Sequence, residues 1–274
     1  MPHVLIVEGN TPETVARGLS GAHGFVETFA ALAPNMTTSV VNPYAAPLSA
    51  MDLLADGIVF TGSGEPWAVS DPEATPLWAA MERAMTTGKP IWGSCNGMHL
   101  AAVMLGGRLR ANPKGPEVGI ARNMALTVEG RGHPMMAQRP ASFSAPCVHR
   151  DEVADLPPGA TLMAGNAHTP VQAFAFEADG ICIWATQYHP ELSLAALGGY
   201  LTAAGSIFAC HAALVADLAC AAEDRLTAAR LGTTPEALQT PARSAEFLAW
   251  LDLVTARASV GPHGVSLPRG RVMT

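Results

Sequence analysis

The sequence predicts an α/β fold in which a mostly parallel central sheet is covered by helices on both faces, followed by a helical C-terminal extension. Over about the first 110 residues, short apolar runs alternate with helix-length segments, which is typical of a parallel sheet. From Val118 to Gln187, strand-like runs follow one another without long helices between them. Helical patterning returns after Pro190.

Four apolar runs in the first part are predicted strands: HVLIVE (His3–Glu8), TTSVV (Thr37–Val41), GIVFTG (Gly57–Gly62) and KPIWGS (Lys89–Ser94). Thr11 is expected to cap the helix after the first strand, with Pro12 at its first position. The clearest helix begins with Asp71 as its cap and ends at Gly88.

The last two predicted strands, VQAFAFE and ICIWATQ, flank Asp179-Gly180, which is a strong hairpin signal. Two amphipathic segments come later, and the Gly/Pro-rich tail VGPHGVSLPRGRVMT is expected to lie loosely on the surface. These patterns divide the chain into a domain over residues 1–204 and an extension over residues 205–274. The spacing of apolar residues in this extension predicts helices that pack on the rest of the same chain, with a homodimer or partner surface as the alternative.

Composition excludes several classes of protein. Hydrophobic residues make up 49% of the 274 and charged residues 14%, which permits a large core and argues against disorder. The net charge of −7, without a basic stripe, argues against nucleic-acid binding. No apolar run is long enough to span a membrane, and the N-terminus lacks the basic region of a signal peptide. The five cysteines are scattered, without zinc-site spacing, which favours a reduced cytoplasmic protein. No bound metal or other cofactor is expected.

One cysteine has an unusual setting, because Cys95 stands between two glycines at the end of a predicted strand, in GSCNGMH. Gly93 and Gly97 allow the strand, the turn and the next helix to approach one another without a Cβ clash. The side chain then projects at the carboxyl end of a parallel strand, where open α/β sheets bind ligands. The helix N-terminus favours a thiolate, and the N–H of Asn96 points towards an oxyanion formed next to Cys95. We therefore interpret Cys95 as a nucleophile.

A histidine and a carboxylate lie about ninety-five residues further on, in ATQYHPE. His189 follows a predicted strand, and Glu191 is two residues beyond it, so that both project to the same side. A carboxylate in this place holds one imidazole nitrogen and leaves the other facing a thiolate. In α/β-hydrolases the acid precedes the histidine along the chain, whereas here it follows.

Cysteine, histidine and glutamate in this order, with YHPE contiguous, resemble the class I (triad) glutamine amidotransferases, in particular proteins similar to the amidotransferase domain of GMP synthase. The likeness extends over about Pro2 to Ala204. It implies a three-layer flavodoxin-like fold and a Cys95–His189–Glu191 triad. The segment GIVFTGSGEPW resembles the strand end whose backbone N–H completes the oxyanion hole, which assigns Gly62 and Ser63 to that hole beside Asn96.

The resemblance also places Gly93, Gly97 and His99 around the substrate pocket. His99 stands where the family has a glutamine, so this chain departs from the family at a position that shapes the pocket. His149 and Asp151, in a segment ahead of the last strands, are expected to be structural.

The resulting hypothesis is hydrolysis of the γ-amide of glutamine to glutamate and ammonia through a γ-glutamyl thioester. One alternative is a γ-glutamyl peptide or amine hydrolase or transferase with the same triad. A second is an ammonia-donating subunit whose synthetase is a separate chain, since no S-G-G-x-D-S loop occurs here. A third is a non-catalytic regulatory relative. In each enzymatic case the partner is a small molecule.

Overall fold

The computed structural model describes residues 1–203, 206–208 and 212–260, the side chain of Val260 excepted. The domain boundary drawn at residues 204 and 205 and the tail after residue 260 lie outside the described residues.

Strands make up the central sheet and a small second sheet. They are β1 (His3–Val7), β2 (Thr37–Val41), β3 (Gly57–Phe60), β4 (Pro90–Ser94), β5 (Arg108–Ala111), β6 (Glu117–Leu126), β7 (Ser142–His149), β8 (Asp151–Asp155), β9 (Thr161–Gly165), β10 (Ala173–Ala178) and β11 (Ile181–Thr186).

Helices surround the sheets. They are α1 (Pro12–Ala16), α2 (His23–Leu32), α3 (Thr75–Met85), α4 (Asn96–Met104), α5 (Val128–Gly132), α6 (Leu194–Thr202), α7 (Ala212–Cys220), α8 (Arg225–Leu231), α9 (Pro235–Leu238), α10 (Thr240–Arg243) and α11 (Ala245–Val260). Short 3-10 turns occupy Asp52–Leu54, Pro72–Ala74 and Pro134–Met136.

The central sheet has nine strands in the order β2-β1-β3-β4-β11-β10-β9-β6-β7. The first five are parallel, and the rest continue in antiparallel pairs. With β11 counted as the fifth strand, the parallel half has the 2-1-3-4-5 order of flavodoxin-like folds. Strands β5 and β8 form a separate antiparallel pair.

Helices cover both faces of the parallel half. Val4 and Ile6 of β1 face a core built with α2 and α11, whereas the neighbouring Leu5 and Val7 face a core built with α3 and α4. Such alternation follows from the two-residue period of a strand. The predicted three-layer α/β fold is therefore confirmed.

Helix α11, far along the chain, packs directly against the central sheet. Its Phe247 and Trp250 are fully buried and lie edge-on to Trp92 of β4, with ring centroids 4.8 and 6.3 Å away. Phe247 also meets Phe25 and Phe29 of α2. Aromatic pairs of this kind contribute about 0.5–1.5 kcal/mol each beyond their buried area. This helix thus forms part of the main core.

Helices α6 to α9 form a further apolar cluster against Ile120 of β6 and Val148 of β7. Within residues 1–203, 206–208 and 212–260, no helix combines the length and apolar character that crossing a lipid bilayer requires.

Candidate active site

The sequence-predicted catalytic segments converge because three neighbouring parallel strands end at the same edge of the sheet. β4 lies between β3 and β11, and all three run in the same direction. Gly62 follows β3, Cys95 follows β4 and His189 follows β11. Residues separated by more than a hundred positions therefore meet at the carboxyl edge, where α/β sheets bind ligands.

Cys95 occupies a sharp elbow between β4 and α4. Its φ of 47° lies in the left-handed region, which a non-glycine residue adopts at a cost on the order of 1–3 kcal/mol. The backbone N–H of Cys95 donates to Thr186 O over 2.8 Å, which ties the elbow to the end of β11. The side chain is 7% exposed and stands at the N-terminus of α4.

Two glycines permit this elbow through close packing, as the sequence predicted. A Cβ added at Gly97 would lie 2.3 Å from Phe60 O, and one at Gly93 would lie 2.9 Å from Gly97 O. Both glycines therefore lie in the contact between strand and helix, and neither is on the wall of the cavity beside Cys95. Of the three expected pocket residues, His99 alone lines that cavity.

His189 and Glu191 form a buried ion pair. The His189 Nδ1 and Glu191 Oε1 atoms are 2.6 Å apart, and the Ser94 hydroxyl donates to the same carboxylate oxygen over 3.0 Å. Burial by itself lowers the pKa of His189, but the Glu191 carboxylate and the Cys95 side chain outweigh it and raise that pKa to about 10. The pair therefore favours the imidazolium form.

The His189 ring and the Cys95 side chain lie close together beside Gly62. A Cβ added at Gly62 would lie 2.9 Å from His189 Cε1 and 3.6 Å from Cys95 Cβ, so that both side chains border the same glycine. His189 Nε2 is buried, and none of the described groups forms a hydrogen bond with it. With Nδ1 held by the carboxylate, Nε2 is the ring nitrogen left for proton transfer.

Three backbone N–H groups surround the elbow. Those of Gly62, Ser63 and Asn96 find no acceptor in the part of the chain that the structure describes. The neighbouring N–H groups are engaged, since Thr61 donates to Val7 O and Gly97 donates to Thr61 O. Free N–H groups beside a nucleophile are what an oxyanion hole requires.

Gln187 is a site residue that the sequence reasoning missed. Its side-chain Nε2 donates to Cys95 Sγ over 3.5 Å, and its Oε1 is 2.6 Å from His99 Nε2. Burial lowers the pKa of His99 to about 4, so the imidazole is neutral and donates its Nε2–H to the amide oxygen. His99 therefore orients Gln187 towards the sulfur. The only sequence signal was a polar residue two positions before His189 in ATQYHPE.

A cavity opens beside Cys95 and is called here the first cavity. It contains about 460 Å³ of empty space when its open mouth is included. Besides Cys95 and His99, its wall carries charged and polar side chains from Glu65, His149, Arg150 and Asp151. Arg150 and Asp151 form an ion pair with an N–O distance of 2.9 Å. Groups of both signs thus face the nucleophile.

A second cavity, of about 440 Å³ when its open mouth is included, is lined by Gly62 and His189. Its wall includes the apolar side chains of Leu19 and Leu192 and the ring of Tyr200. Ser63 and Val148 line both cavities. In residues 1–203, 206–208 and 212–260, no three histidine, cysteine or carboxylate side chains are grouped so as to hold a metal ion.

Comparison with known proteins is consistent with this geometry. A γ-glutamyl-L-1-hydroxyisopropylamide hydrolase of Pseudomonas sp. is 32% identical over 200 residues, which are 69% of this chain and 68% of that protein. The GMP synthase (glutamine-hydrolyzing) of Thermomicrobium roseum is 33% identical over 162 residues, 58% of this chain but only 28% of that protein.

Solved structures share the fold. A glutamine amidotransferase of Thermotoga maritima is 17% identical and superposes with a TM-score of 0.64, over 92% of this chain and 98% of that chain. The model of the glutamine amidotransferase class-I family matches residues 28–206, which include every residue of the predicted triad and oxyanion hole. The chain belongs to the glutamine amidotransferase class-I family.

Proposed function

We propose that Cys95, His189 and Glu191 form a catalytic triad that hydrolyses γ-glutamyl amides, in the simplest case glutamine to glutamate and ammonia. In general terms, the chain is an amidotransferase-type hydrolase that acts on C–N amide bonds. The observation that carries the proposal is that the paired His189 ring and the Cys95 side chain lie together beside Gly62.

The triad supplies the nucleophile and moves the proton. His189 Nε2 takes the thiol proton of Cys95, and the raised pKa of His189 stabilises the resulting thiolate–imidazolium pair. The sulfur attacks the amide carbon, and His189 returns the proton to the departing nitrogen, leaving a γ-glutamyl thioester and an amine or ammonia. His189 then takes a proton from water, which attacks the thioester and releases the acid and the thiol.

The backbone around the elbow stabilises the tetrahedral intermediates. The N–H groups of Asn96 and of Gly62 or Ser63 would donate to the negatively charged oxygen. Removal of one donor of this kind from an oxyanion hole typically costs about 3–4 kcal/mol. Gln187 adds a hydrogen bond to the Cys95 sulfur and holds it beside these donors.

The first cavity fits the γ-glutamyl portion of the substrate. A free γ-glutamyl group ends in an α-ammonium and an α-carboxylate, which require partners of opposite sign. Arg150 offers a cation, and Glu65 and Asp151 offer carboxylates on the wall that also carries Cys95. His99 contributes a neutral side chain engaged with Gln187, so it shapes this cavity without adding a charge.

The fate of the released nitrogen separates two forms of the proposal. Similarity to GMP synthases supports ammonia delivery to a separate synthetase chain. Similarity to the Pseudomonas hydrolase supports cleavage of γ-glutamyl amides of larger amines, with release of the amine to solvent. A reduced, cytoplasmic setting belongs to both forms, because the nucleophile must remain a free thiolate.

A direct test combines turnover with trapping of the thioester. Purified protein is incubated with glutamine and with γ-glutamyl amides, release of ammonia or amine is measured, and hydroxylamine is added to convert the thioester to a γ-glutamyl hydroxamate. We expect turnover and hydroxamate in the wild type and in Cys220→Ser, a control at an exposed free cysteine that lines neither cavity. Both should be lost in Cys95→Ala. Hydroxamate formation by Cys95→Ala would refute the assignment of the nucleophile.

A further inference from the structure

We propose that the second cavity holds the amine portion of the substrate, so that the enzyme prefers γ-glutamyl amides whose nitrogen carries a small, mainly apolar substituent. This inference rests on the proposed function, because it needs an acyl group on Cys95. It goes beyond that function by assigning a separate subsite to the leaving amine.

The two cavities meet beside the sulfur. Val148 and Ser63 line both of them, and Cys95 Sγ is 3.8 Å from Val148 O. The first cavity contains Cys95 in its wall, and the second contains His189 and Gly62. A substrate bonded to the sulfur therefore lies next to the wall that the two cavities share.

The chemistry assigns one half of the substrate to each cavity. The tetrahedral carbon bears the Cys95 sulfur, the oxyanion, the γ-methylene and the departing nitrogen. With the oxyanion at the backbone N–H groups and the glutamyl chain among the charged residues of the first cavity, the nitrogen faces His189, which must protonate it. A substituent on that nitrogen continues past the ring into the second cavity. Water replaces the amine on the acyl carbon, so no further reactant is needed.

The lining favours an apolar substituent larger than hydrogen. Leu19 and Val148 are 6% exposed each and present carbon to the cavity, together with Leu192 and Tyr200. Two of the polar lining residues are engaged elsewhere, since the Ser20 hydroxyl donates to Glu8 and the Asn10 side-chain oxygen accepts from Gly64 N–H. Among the described residues, His189 Nε2 and Glu191 Oε2 have no hydrogen-bond partner, and they lie at the end of the cavity where the nitrogen is protonated. The cavity offers about 50 Å³ to the centre of a water-sized sphere, whereas one water, and so one ammonia molecule of similar size, needs roughly 10–15 Å³ on the same measure. Ammonia alone would therefore leave most of this space unfilled.

The test compares kcat/KM for γ-glutamyl isopropylamide and for glutamine. Wild type should prefer the isopropylamide, and Leu192→Trp, which fills the second cavity, should reduce the ratio of the two values at least tenfold. That effect is within the range that contacts with one or two methyl groups provide. The matched control is Leu226→Trp, the same substitution at a side chain that is 75% exposed and outside both cavities, which should leave the ratio unchanged.

Each outcome has one meaning. Hydrolysis of glutamine without hydrolysis of the isopropylamide, or an unchanged ratio in Leu192→Trp, overturns the amine subsite and leaves the proposed function standing. Absence of turnover with every substrate, together with no hydroxamate from wild-type protein, overturns the proposed function itself.

An independent set of contacts carries a second inference: we infer that residues 243–246 position His189. The Tyr188 hydroxyl donates to Glu246 Oε1, and the Pro190 carbonyl accepts from the Ser244 hydroxyl over 2.6 Å and from Arg243. The residues on both sides of His189 are therefore hydrogen-bonded to the segment where α10 ends and α11 begins.

A buried ion pair holds the positioning segment itself. Arg139 donates to both carboxylate oxygens of Glu246 over 2.7 Å and to the carbonyls of Ala242 and Arg243. Glu246 and Ser244 are fully buried. Because the backbone at 188 and 190 sets the direction of the His189 side chain, loosening these bonds should turn Nε2 away from Cys95.

The test uses Tyr188→Phe and Ser244→Ala, which each remove one hydroxyl and little volume, with Ser259→Ala on the exposed part of α11 as the matched control. We expect kcat to fall about tenfold in the first two with KM changed less than twofold, and alkylation of Cys95 by iodoacetamide to shift to higher pH. The control should match wild type. Wild-type kcat and alkylation profile in both variants, or a loss of kcat that follows only the unfolded fraction measured by circular dichroism, overturns the positioning role.

Discussion

The substitution Gly62→Ala tests whether activity depends on the close approach of His189 to Cys95, because it should disturb that approach while changing the stability of the fold little. The φ of Gly62 lies outside the left-handed region, so alanine fits the backbone. Its Cβ, however, would lie 2.9 Å from His189 Cε1, whereas ordinary contacts begin near 3.4 Å. The ring must therefore move by about 0.5 Å or more. Since a misplacement of about 1 Å costs roughly 10²-fold in rate, we expect kcat to fall about 10- to 100-fold.

The assay follows both chemistry and structure. Steady-state kinetics with glutamine and with a γ-glutamyl amide give kcat and KM, and urea unfolding gives the free energy of unfolding. A loss of 10- to 100-fold in kcat/KM corresponds to about 1.4–2.7 kcal/mol of transition-state stabilisation. The free energy of unfolding should change by less than that, because the clash is with one side chain at a cavity edge.

The matched control is Gly132→Ala, at a glycine where an added Cβ meets nothing within 4 Å and φ is also outside the left-handed region. It should have wild-type kinetics. If folded Gly62→Ala protein retained wild-type kcat, the position of the His189 ring would not require the absence of a Cβ at Gly62. The inferred arrangement of His189, Gly62 and Cys95 would then be wrong.

Three further predictions concern pH, a pocket residue and a buried charge. The pKa of His189 is raised from 6.5 to about 10 in the folded protein, so the stability that this histidine contributes is present below pH 6.5 and is lost as the pH rises towards 10. In urea unfolding, the free energy of unfolding of His189→Asn should not show this decline between pH 6.5 and 10. His99→Leu should leave the Gln187 amide oxygen without a donor, lower stability by about 1–3 kcal/mol and slow alkylation of Cys95, whereas a Gln replacement should retain more of both. Glu246→Gln should destabilise the protein by about 3–5 kcal/mol in urea unfolding, because it leaves buried Arg139 without its counter-ion; a change below 1 kcal/mol would contradict this account.

Local sequence signals predicted local structure well. Thr11 accepts from Thr14 N–H as the predicted cap, and Asp179 and Gly180 both adopt positive φ between β10 and β11, as a two-residue hairpin turn requires. Asp71 behaves differently, because its carboxylate accepts from Ala68 N–H and a 3-10 turn precedes α3. There a competing turn bond replaces the cap.

Sequence patterns did not predict the contacts between segments that are far apart along the chain. Residue spacing placed Cys95, His189 and Glu191 at strand ends, and the order of the parallel strands then brought those ends together. No sequence motif indicated that Gln187 lies beside Cys95, because an isolated glutamine has no characteristic partner at a fixed spacing. Apolar spacing in α11 predicted packing on its own domain, but which sheet face it covers depends on the long-range fit of Phe247 and Trp250 against Trp92.

The placement of α11 also bears on when the enzyme becomes active during synthesis. A nascent chain that has emerged as far as residue 240 already contains every residue of the proposed triad and oxyanion hole. It lacks Phe247, which packs against Trp92. It also lacks the Glu246 carboxylate and the Ser244 hydroxyl, which form hydrogen bonds with the residues on either side of His189. We therefore expect ribosome-bound intermediates that lack α11 to be inactive, and thiol reactivity at Cys95 to reach its final value only after α11 leaves the exit tunnel.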